Sequence, residues 1–255
     1  MKPPKISVII PSLNKAKFIS QTLKSIFDQG CSGLEVIIQD GESSDGTLEI
    51  IKKFAGRYPV KWESKEDKGQ LDAINKGLSK ATGEILTYIN ADDFYEEGVF
   101  KAVAHAYESN PKAFWFVGRG KVVNENGHEI AKPVTLYKSL CLKLNFYFLL
   151  LIFNYLMQPS VFFTRAAYKK YGPFTGNSDF IMEYELWLKL GKLQMPVVIG
   201  KSLSKFRIEP TSKTSKMFNR MLSEDMKVLK KYTKNPLIYL LHELHNFGRT
   251  LFVKS

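Results

Sequence analysis

Cysteine is scarce in this sequence: Cys31 and Cys141 are its only two, far apart and outside any Cys-x-x-Cys or Cys/His cluster. That excludes a disulfide framework and a cysteine-based zinc site, and the expected setting is a reducing, cytoplasmic one. Histidine is nearly as rare. Of the four, only His242 and His245 fall within one helical turn, so both are expected to be surface or packing residues rather than metal ligands. Long apolar runs are missing as well. The most hydrophobic stretch, residues 140–157, is interrupted by Lys143, Asn145 and Asn154, and its longest unbroken segment, 146–153, is far short of the roughly 20 residues that cross a bilayer. A short apolar run directly follows Pro3 and Pro4, without the length or cleavage site of a secretory signal, so the chain is expected to start inside the cell. Acidic residues are also in deficit, 25 against 37 lysines and arginines, for a net charge of +12. This balance favours phosphate-bearing or other anionic partners. The lysines are nevertheless spread over helices and tail without an RNA- or DNA-binding motif, and no nucleic-acid partner is expected.

What the sequence does contain is a repeated α/β pattern. At 255 residues and 44% hydrophobic, the chain can bury a sizeable core. Residues 6–10, Ile-Ser-Val-Ile-Ile closed by Pro11, read as a buried parallel strand, and 17–27 follow with helical spacing. The unit repeats with a strand at 34–39, the polar loop 40–46 and a helix at 47–54. A strand at 60–63, a helix at 70–81 and a strand at 84–89 come next, the last running into Asn90-Ala91-Asp92-Asp93. This alternation predicts a mostly parallel sheet with helices on both faces, in which ligands bind beyond the carboxyl ends of the strands. The loops after residues 10, 39 and 89 should therefore bring their polar side chains together. Beyond residue 113, two short strands of apolar residues at 114–117 and 122–123 and the turn Asn124-Glu125-Asn126-Gly127 predict a small antiparallel addition. From residue 216 onward, two basic amphipathic helices are expected, broken at Pro236.

The chemistry-bearing residues sit at the predicted strand exits. Asp92 and Asp93 would repel each other at the end of a buried strand unless a cation or donor groups compensate. Hard oxygen ligands of this kind suit Mg²⁺ or Mn²⁺ bridging a diphosphate. The alternative is an N-cap for the helix expected around 97–107. Asp40 can accept from a pyrimidine N3–H or a ribose hydroxyl, with Gly41 and Gly46 allowing close backbone approach, or it can close an ordinary Asx-turn.

Taken in order, Ser7-Val8-Ile9-Ile10-Pro11-Ser12-Leu13-Asn14, Asp40-Gly41-Glu42-Ser43-Ser44-Asp45-Gly46-Thr47, Asp67-Lys68-Gly69-Gln70-Leu71-Asp72-Ala73-Ile74-Asn75-Lys76-Gly77 and Asn90-Ala91-Asp92-Asp93 resemble the motifs of glycosyltransferase family 2. The resemblance resumes at Gln158-Pro159-Ser160 and at Met182-Glu183-Tyr184-Glu185-Leu186-Trp187-Leu188-Lys189-Leu190, and covers about residues 4–215. It implies a GT-A fold, with a Rossmann-like nucleotide-binding half at 1–112, an acceptor half at 113–215 and a tail at 216–255 that it does not explain. It also implies an inverting enzyme that moves a sugar from a nucleotide-sugar donor, UDP-linked, to a hydroxyl of a saccharide or lipid-linked acceptor, in the assembly of bacterial surface polysaccharide.

By the same resemblance, Asp93 binds the metal, Mn²⁺ or Mg²⁺, and Asp92 the metal or the donor ribose. Asp40 contacts the base, Pro11, Ser12 and Asn14 line its pocket, and Lys68 and Gln70 face the donor. Asn90 joins the donor site where many members have Asp. Arg207 closes over the diphosphate, with Glu209 standing where a His is usual. Glu183 takes the place of the catalytic base, usually Asp, and Gln158 and Trp187 lie on the acceptor side. The 140–157 stretch and the basic tail either seat the protein on the anionic cytoplasmic face of the inner membrane or pack as buried helices under the acceptor site. Three other readings stand beside this one: a degenerate nucleotide-sugar-binding protein, because Asn90, Glu183 and Glu209 depart from the pattern; a sugar-phosphate nucleotidyltransferase, although its Gly-rich loop is replaced by Pro11-Ser12-Leu13-Asn14; and a nucleic-acid-binding module.

Overall fold

The computed structural model describes residues 3–175, 181–208 and 218–254. At its centre is β1 (Ile6–Ser12), in which every residue is buried. β2 (Leu34–Asp40) pairs with it in parallel from Ile6↔Leu34 to Ser12↔Asp40, and β4 (Ile85–Tyr88) pairs on its other side. A strand enclosed by two neighbours and covered on both faces has no solvent side, which is why β1 reads as an unbroken apolar run. β4 leaves β1 at the Ile9↔Tyr88 pair, so Pro11, which has no N–H to give, falls where the ladder has ended and a crevice opens.

β3 (Val60–Ser64) extends the parallel part beyond β2. The crossover helices are α1 (Ile19–Phe27), α2 (Thr47–Ala55) and α3 (Gln70–Lys80). α1 buries Ile19, Thr22, Leu23 and Ile26, an i, i+3, i+4, i+7 stripe turned to the sheet. α3 lies so close to β1 that a Cβ on Gly77 would stand 2.5 Å from Ile9 Cγ2, so only glycine permits this approach.

The second half continues the same sheet rather than forming its own. After β5 (Phe94–Tyr95) and α4 (Val99–Ser109) come β6 (Trp115–Val123), β7 (Glu129–Ile130), α5 (Lys132–Leu144) and α6 (Tyr147–Phe153). A 3-10 turn at Gln158–Ser160 leads into β8 (Val161–Thr164), α7 (Arg165–Tyr171), α8 (Met182–Leu193) and β9 (Val197–Arg207). The strand order is β3-β2-β1-β4-β8-β6-β9-β5, with β7 attached to β6. β8 runs antiparallel between β4 and β6, while β6 and β9 are parallel, so the addition to the parallel half is mixed rather than antiparallel throughout. The residues at 114–117 and 122–123 also belong to one strand, not two. The Asn124-Gly127 turn closes a β6–β7 hairpin, as its residues predict.

The tail folds into α9 (Phe218–Tyr232) and α10 (Pro236–Lys254), broken at Pro236, which opens the second helix. The 140–157 stretch is divided. Leu150, Leu151 and Ile152 of α6 are buried, whereas Leu140 and Leu144 of α5 are exposed. Within the described residues, no helix is long and apolar enough to cross a membrane. One face of the sheet packs Ile9, Tyr88, Trp115 and Phe163 against α3, α6 and α8, and the opposite face packs Val8, Ile10, Phe116 and Phe162 against α1 and α4.

Candidate active site

The loops after β1, β2, β3 and β4 meet above the carboxyl ends of their strands. Asn14 couples the first two. Its N–H donates to Ser43 Oγ at 2.8 Å and its side-chain oxygen accepts from Ser44 N–H at 2.9 Å. Asp45 accepts from Ala16 N–H at 3.0 Å and from Thr47 at both N–H and hydroxyl. Asp40, 2% exposed, accepts from Ser43 N–H (2.9 Å), Ser43 Oγ (2.6 Å) and Ser64 Oγ (2.8 Å). Asn14 and Asp40 are thus committed to holding loops together, and Asp40 also walls a recess with Lys65, Asp67 and Lys76. Asp40 closes its own loop through Ser43, three residues on, while the Asx-turn in this loop is made by Asp45 with Thr47 two residues on. This leaves the Asp40 carboxylate at the recess without making it a bare acceptor.

A cleft of ≈ 220 Å³ lies beside that recess. Pro11, Ser12, Lys15, Gln70, Asn90, Asp92 and Arg207 are among its walls, and so it gathers six of the predicted donor residues. Lys68 is exposed outside it, its N–H bonded to Asp72 at 3.1 Å. The cation that enters the cleft instead is Lys15, whose Nζ stands 2.5 Å from Asp92 Oδ2. Lys15 escapes a reading of spacing because its partner lies 77 positions away. Ser12 Oγ is buried and has no hydrogen-bond partner among the described residues, which leaves it for a ligand.

The β4 exit is held by a relay of amides and backbone. Gln70 Nε2 donates to Asn90 Oδ1 at 2.6 Å, and Asn90 Nδ2 donates to Asp93 Oδ2 at 3.3 Å. Thr22 Oγ1 donates to the carbonyls of Ala91 and Asp93 at 2.9 and 2.7 Å. Asp93 is 1% exposed and accepts the Arg207 N–H at 2.8 Å. Burial, and after it the neighbouring Asp92 carboxylate, raise its proton affinity well above the ordinary aspartate range. The helix-cap alternative for this pair fails, because α4 begins at Val99 with Gly98 at its cap position.

The pair fits a divalent cation by donor chemistry. Two adjacent carboxylates, one of them buried with its proton affinity raised, match an ion that takes one or two carboxylates and completes its shell with phosphate and water. Asp92 is the one that faces the cleft, and Asp93 stands behind it. Among the described residues, no group of three acidic, His or Cys side chains forms a ready metal cage.

Arg207, which lines the cleft, is engaged by the protein itself. It is 4% exposed, with Nε donating to Asp92 O (2.7 Å), Nη2 to Gln21 Oε1 (2.6 Å) and Nη1 to the carbonyls of Asn124 and Glu125. Its guanidinium also lies over the rings of Phe18 and Phe94, at 4.5 and 5.1 Å from their centroids. It is a clasp that fixes Asp92 from behind. Glu209, expected to follow it, lies outside the described residues, as do all of residues 209–217.

Glu183, in the first turn of α8, is partly buried and accepts from Tyr88 Oη at 3.5 Å. Burial is the main cause that pushes its carboxyl up to about 7, with a smaller contribution from Asp225. A carboxylate poised near neutrality is suited to general-base work. Gln158 Nε2 donates to the carbonyl of the same Tyr88 at 2.8 Å, and its buried Oε1 has no partner among the described residues. Tyr88, two positions before Asn90, therefore links Glu183 and Gln158 to the strand whose exit lines the cleft, a role invisible in spacing. Trp187 does not join them. It is 1% exposed, stacked on Trp115 at 5.8 Å and edge-on to Phe174 at 6.2 Å, in the core rather than on an acceptor surface. The resemblance places Trp187 on the acceptor side, and the burial of α8 on several sides puts it in the core instead. His242 and His245 pack inside the helical layer, away from any metal-ligand spacing.

A relative from Mycobacterium bovis, a PGL/p-HBAD biosynthesis glycosyltransferase, is 38% identical over 107 residues, 41% of this chain. The chain spans about two fifths of that relative, 42% of its length. Among solved structures, the mannosyltransferase PcManGT of Pyrobaculum calidifontis, in complex with GDP-Man and Mn²⁺, matches 95% of this chain and 69% of its own, with a TM-score of 0.71 and 19% identity. S. aureus TarS in complex with UDP-GlcNAc matches 94% of this chain and 71% of its own, with a TM-score of 0.63 and 17% identity. At such identities the likeness is one of fold, and that fold is GT-A. The model of glycosyl transferase family 2 matches residues 7–172, which contain each of the converging loops, and the chain belongs to that family.

Proposed function

We propose that this chain transfers a sugar from a nucleotide-sugar donor, UDP-linked, to an acceptor hydroxyl with inversion at the anomeric carbon. The observation that carries the reading is Glu183, a carboxyl held near neutrality beside Tyr88, at the end of the strand whose exit presents Asp92 and Asp93. In a single displacement, Glu183 takes the proton of the acceptor hydroxyl and that oxygen bonds to the anomeric carbon. The carbon–oxygen bond to the diphosphate breaks, and the nucleoside diphosphate leaves with the bonding pair. Lys15 supplies positive charge on the cleft side of Asp92, where phosphate oxygens would lie, and Gln158 Oε1 offers an acceptor for a sugar hydroxyl.

Mn²⁺ or Mg²⁺, held by Asp92 and Asp93 once the diphosphate is present, would neutralise the leaving group. In support, PcManGT carries GDP-Man with Mn²⁺ and TarS carries UDP-GlcNAc. The acceptor class is a saccharide or lipid-linked sugar. Calorimetric titration with UDP, GDP and their sugar conjugates, with and without Mn²⁺, tests the donor site. Metal-dependent binding of one nucleotide, lost in Asp93→Ala, is expected, and no binding of any of them would overturn it. The anomeric configuration of the product, read by NMR, tests inversion.

A further inference from the structure

Large apolar side chains left in water are not scattered evenly over this molecule. Of the fifteen that stand exposed among the described residues, nine lie on α5, the short link into α6, α6 itself and α10. On α5 they are Leu136 (73% exposed), Leu140 and Leu144, spaced i, i+4, i+8 on one face. On α10 the outer face carries Leu240, Leu244 and Phe247 (63% exposed), again at helical spacing.

The inner faces of these helices are occupied. His242 Nδ1 lies 3.0 Å from Leu151 O of α6, and Tyr137 Oη lies 3.2 Å from His245 Nε2. That last contact sets the helices against each other, with Leu136 and Leu140 flanking Tyr137 on one and Leu244 preceding His245 on the other. The two stripes therefore lie on neighbouring helices that touch. α8 ends at their margin, because Gly191 packs against Leu150 and Tyr147, which brings the exposed Lys192 and Leu193 alongside α6.

The charge around the patch is predominantly positive. Residues 131–157 contain Lys132, Lys138 and Lys143 and no acidic residue, and residues 226–255 contain six basic residues against the single Glu243. Lys132, Lys143, Lys230 and Lys234 are exposed. An exposed apolar patch marks a contact surface, and a basic rim selects its partner. A second copy of the chain, paired through this face, would press two lysine rims together. An anionic bilayer takes both parts at once, leucine and phenylalanine entering the interface while the ammonium groups meet lipid phosphates.

We propose that the outer face of α5 and α10 docks on an anionic phospholipid surface. The proposal is independent of the chemistry of the cleft and stands or falls without it.

Flotation with vesicles of phosphatidylcholine, alone or mixed with phosphatidylglycerol, tests it in the full chain. The chain should float with the mixed vesicles, be released by salt, and stay behind with phosphatidylcholine alone. Leu140→Ser/Leu244→Ser/Phe247→Ser should lower mixed-vesicle binding at least about tenfold, and Lys132→Glu/Lys143→Glu, which touches no apolar contact, should do the same. Circular dichroism would check that both variants keep the native spectrum. Absence of flotation, equal flotation with both vesicles, or unchanged binding by both variants would overturn the proposal. So would self-association in the ultracentrifuge that the triple variant abolishes while no flotation occurs, which would give the face to a second copy.

Discussion

The cleft region and the C-terminal helical layer both bury titratable groups, and they differ in what surrounds those groups. In the helical layer, Asp225 is 1% exposed, with His242 Nε2 at 3.5 Å and Arg249 Nη1 at 3.3 Å. Lys138 donates to Asn154 O at 3.0 Å, and burial, followed by the charge of Arg249, takes its ammonium down to about 7. Burial likewise takes His245 down to about 3. Inside this closed layer, Asp225 Oδ1, His242 Nε2 and His245 Nδ1 are buried without a hydrogen-bond partner among the described residues. Asp93, behind the cleft, and Glu183 are perturbed by the same physical cause, and Ser12 Oγ on the cleft wall has no partner among the described residues. A shifted titration is therefore no mark of chemistry by itself. What distinguishes the cleft is that Ser12, Lys15, Gln70, Asn90 and Asp92 line an opening.

Substitutions on the two sides should separate these roles. The largest effect is expected for Glu183→Gln. Transfer should fall about 10²- to 10⁴-fold, with nucleotide affinity unchanged in calorimetry. In the wild type, the rate should rise as pH increases through about 7, because the base must be ionised, and a flat profile would remove Glu183 from that role. The same group has a folded-state pKa raised above its ordinary value of 4.5, so its contribution to stability is present below about pH 4.5 and lost as pH rises through about 7. Glu183→Gln should accordingly melt higher than the wild type at pH 8 and lose that advantage at pH 4.

Next in size is Asp225→Ala, which removes the buried carboxylate that faces Arg249 and His242 in the layer. A loss of about 3 kcal/mol in urea unfolding is expected, with UDP still bound by the folded protein. Loss of nucleotide binding at unchanged stability would contradict the division. Lys15→Met should weaken UDP binding without metal by roughly tenfold, as removal of one charge-assisted bond predicts, while unfolding midpoints stay put. The smallest effect is assigned to Trp187→Phe. It should cost about 1 kcal/mol of stability through the Trp115 stack and leave the acceptor KM alone, whereas a raised KM would return Trp187 to the acceptor site.

Much of this arrangement is legible in the sequence, and the parts that are not share a cause. The four parallel strands and their polar exits stand out, because central strands need uninterrupted Ile and Val and the loops carry Asp, Asn and Gly. β6 does not, since Gly118 looks like a break. In the fold a Cβ there would meet Leu203 Cγ at 2.3 Å, so the glycine serves packing within a continuous strand. Lys15 and Tyr88 acquire their roles only when residues 77 and 95 positions away arrive beside them. Arg207 and Trp187 were legible as residues of the right type near the right motifs. Which way they face is decided by Phe18, Phe94 and Trp115, distant in sequence and unmarked by any pattern.

The Arg207 clasp has a consequence for the order of events at the ribosome. Its N–H reaches Asp93 across 114 positions, and its guanidinium gathers Gln21, Asp92 and the turn after β6. A nascent chain of 112 residues already contains Asp40, Asn90, Asp92 and Asp93. It still lacks the strand that fixes the last two. Nucleotide recognition should therefore emerge late in synthesis, when β9 docks, rather than with the half of the sheet that carries the recognising residues.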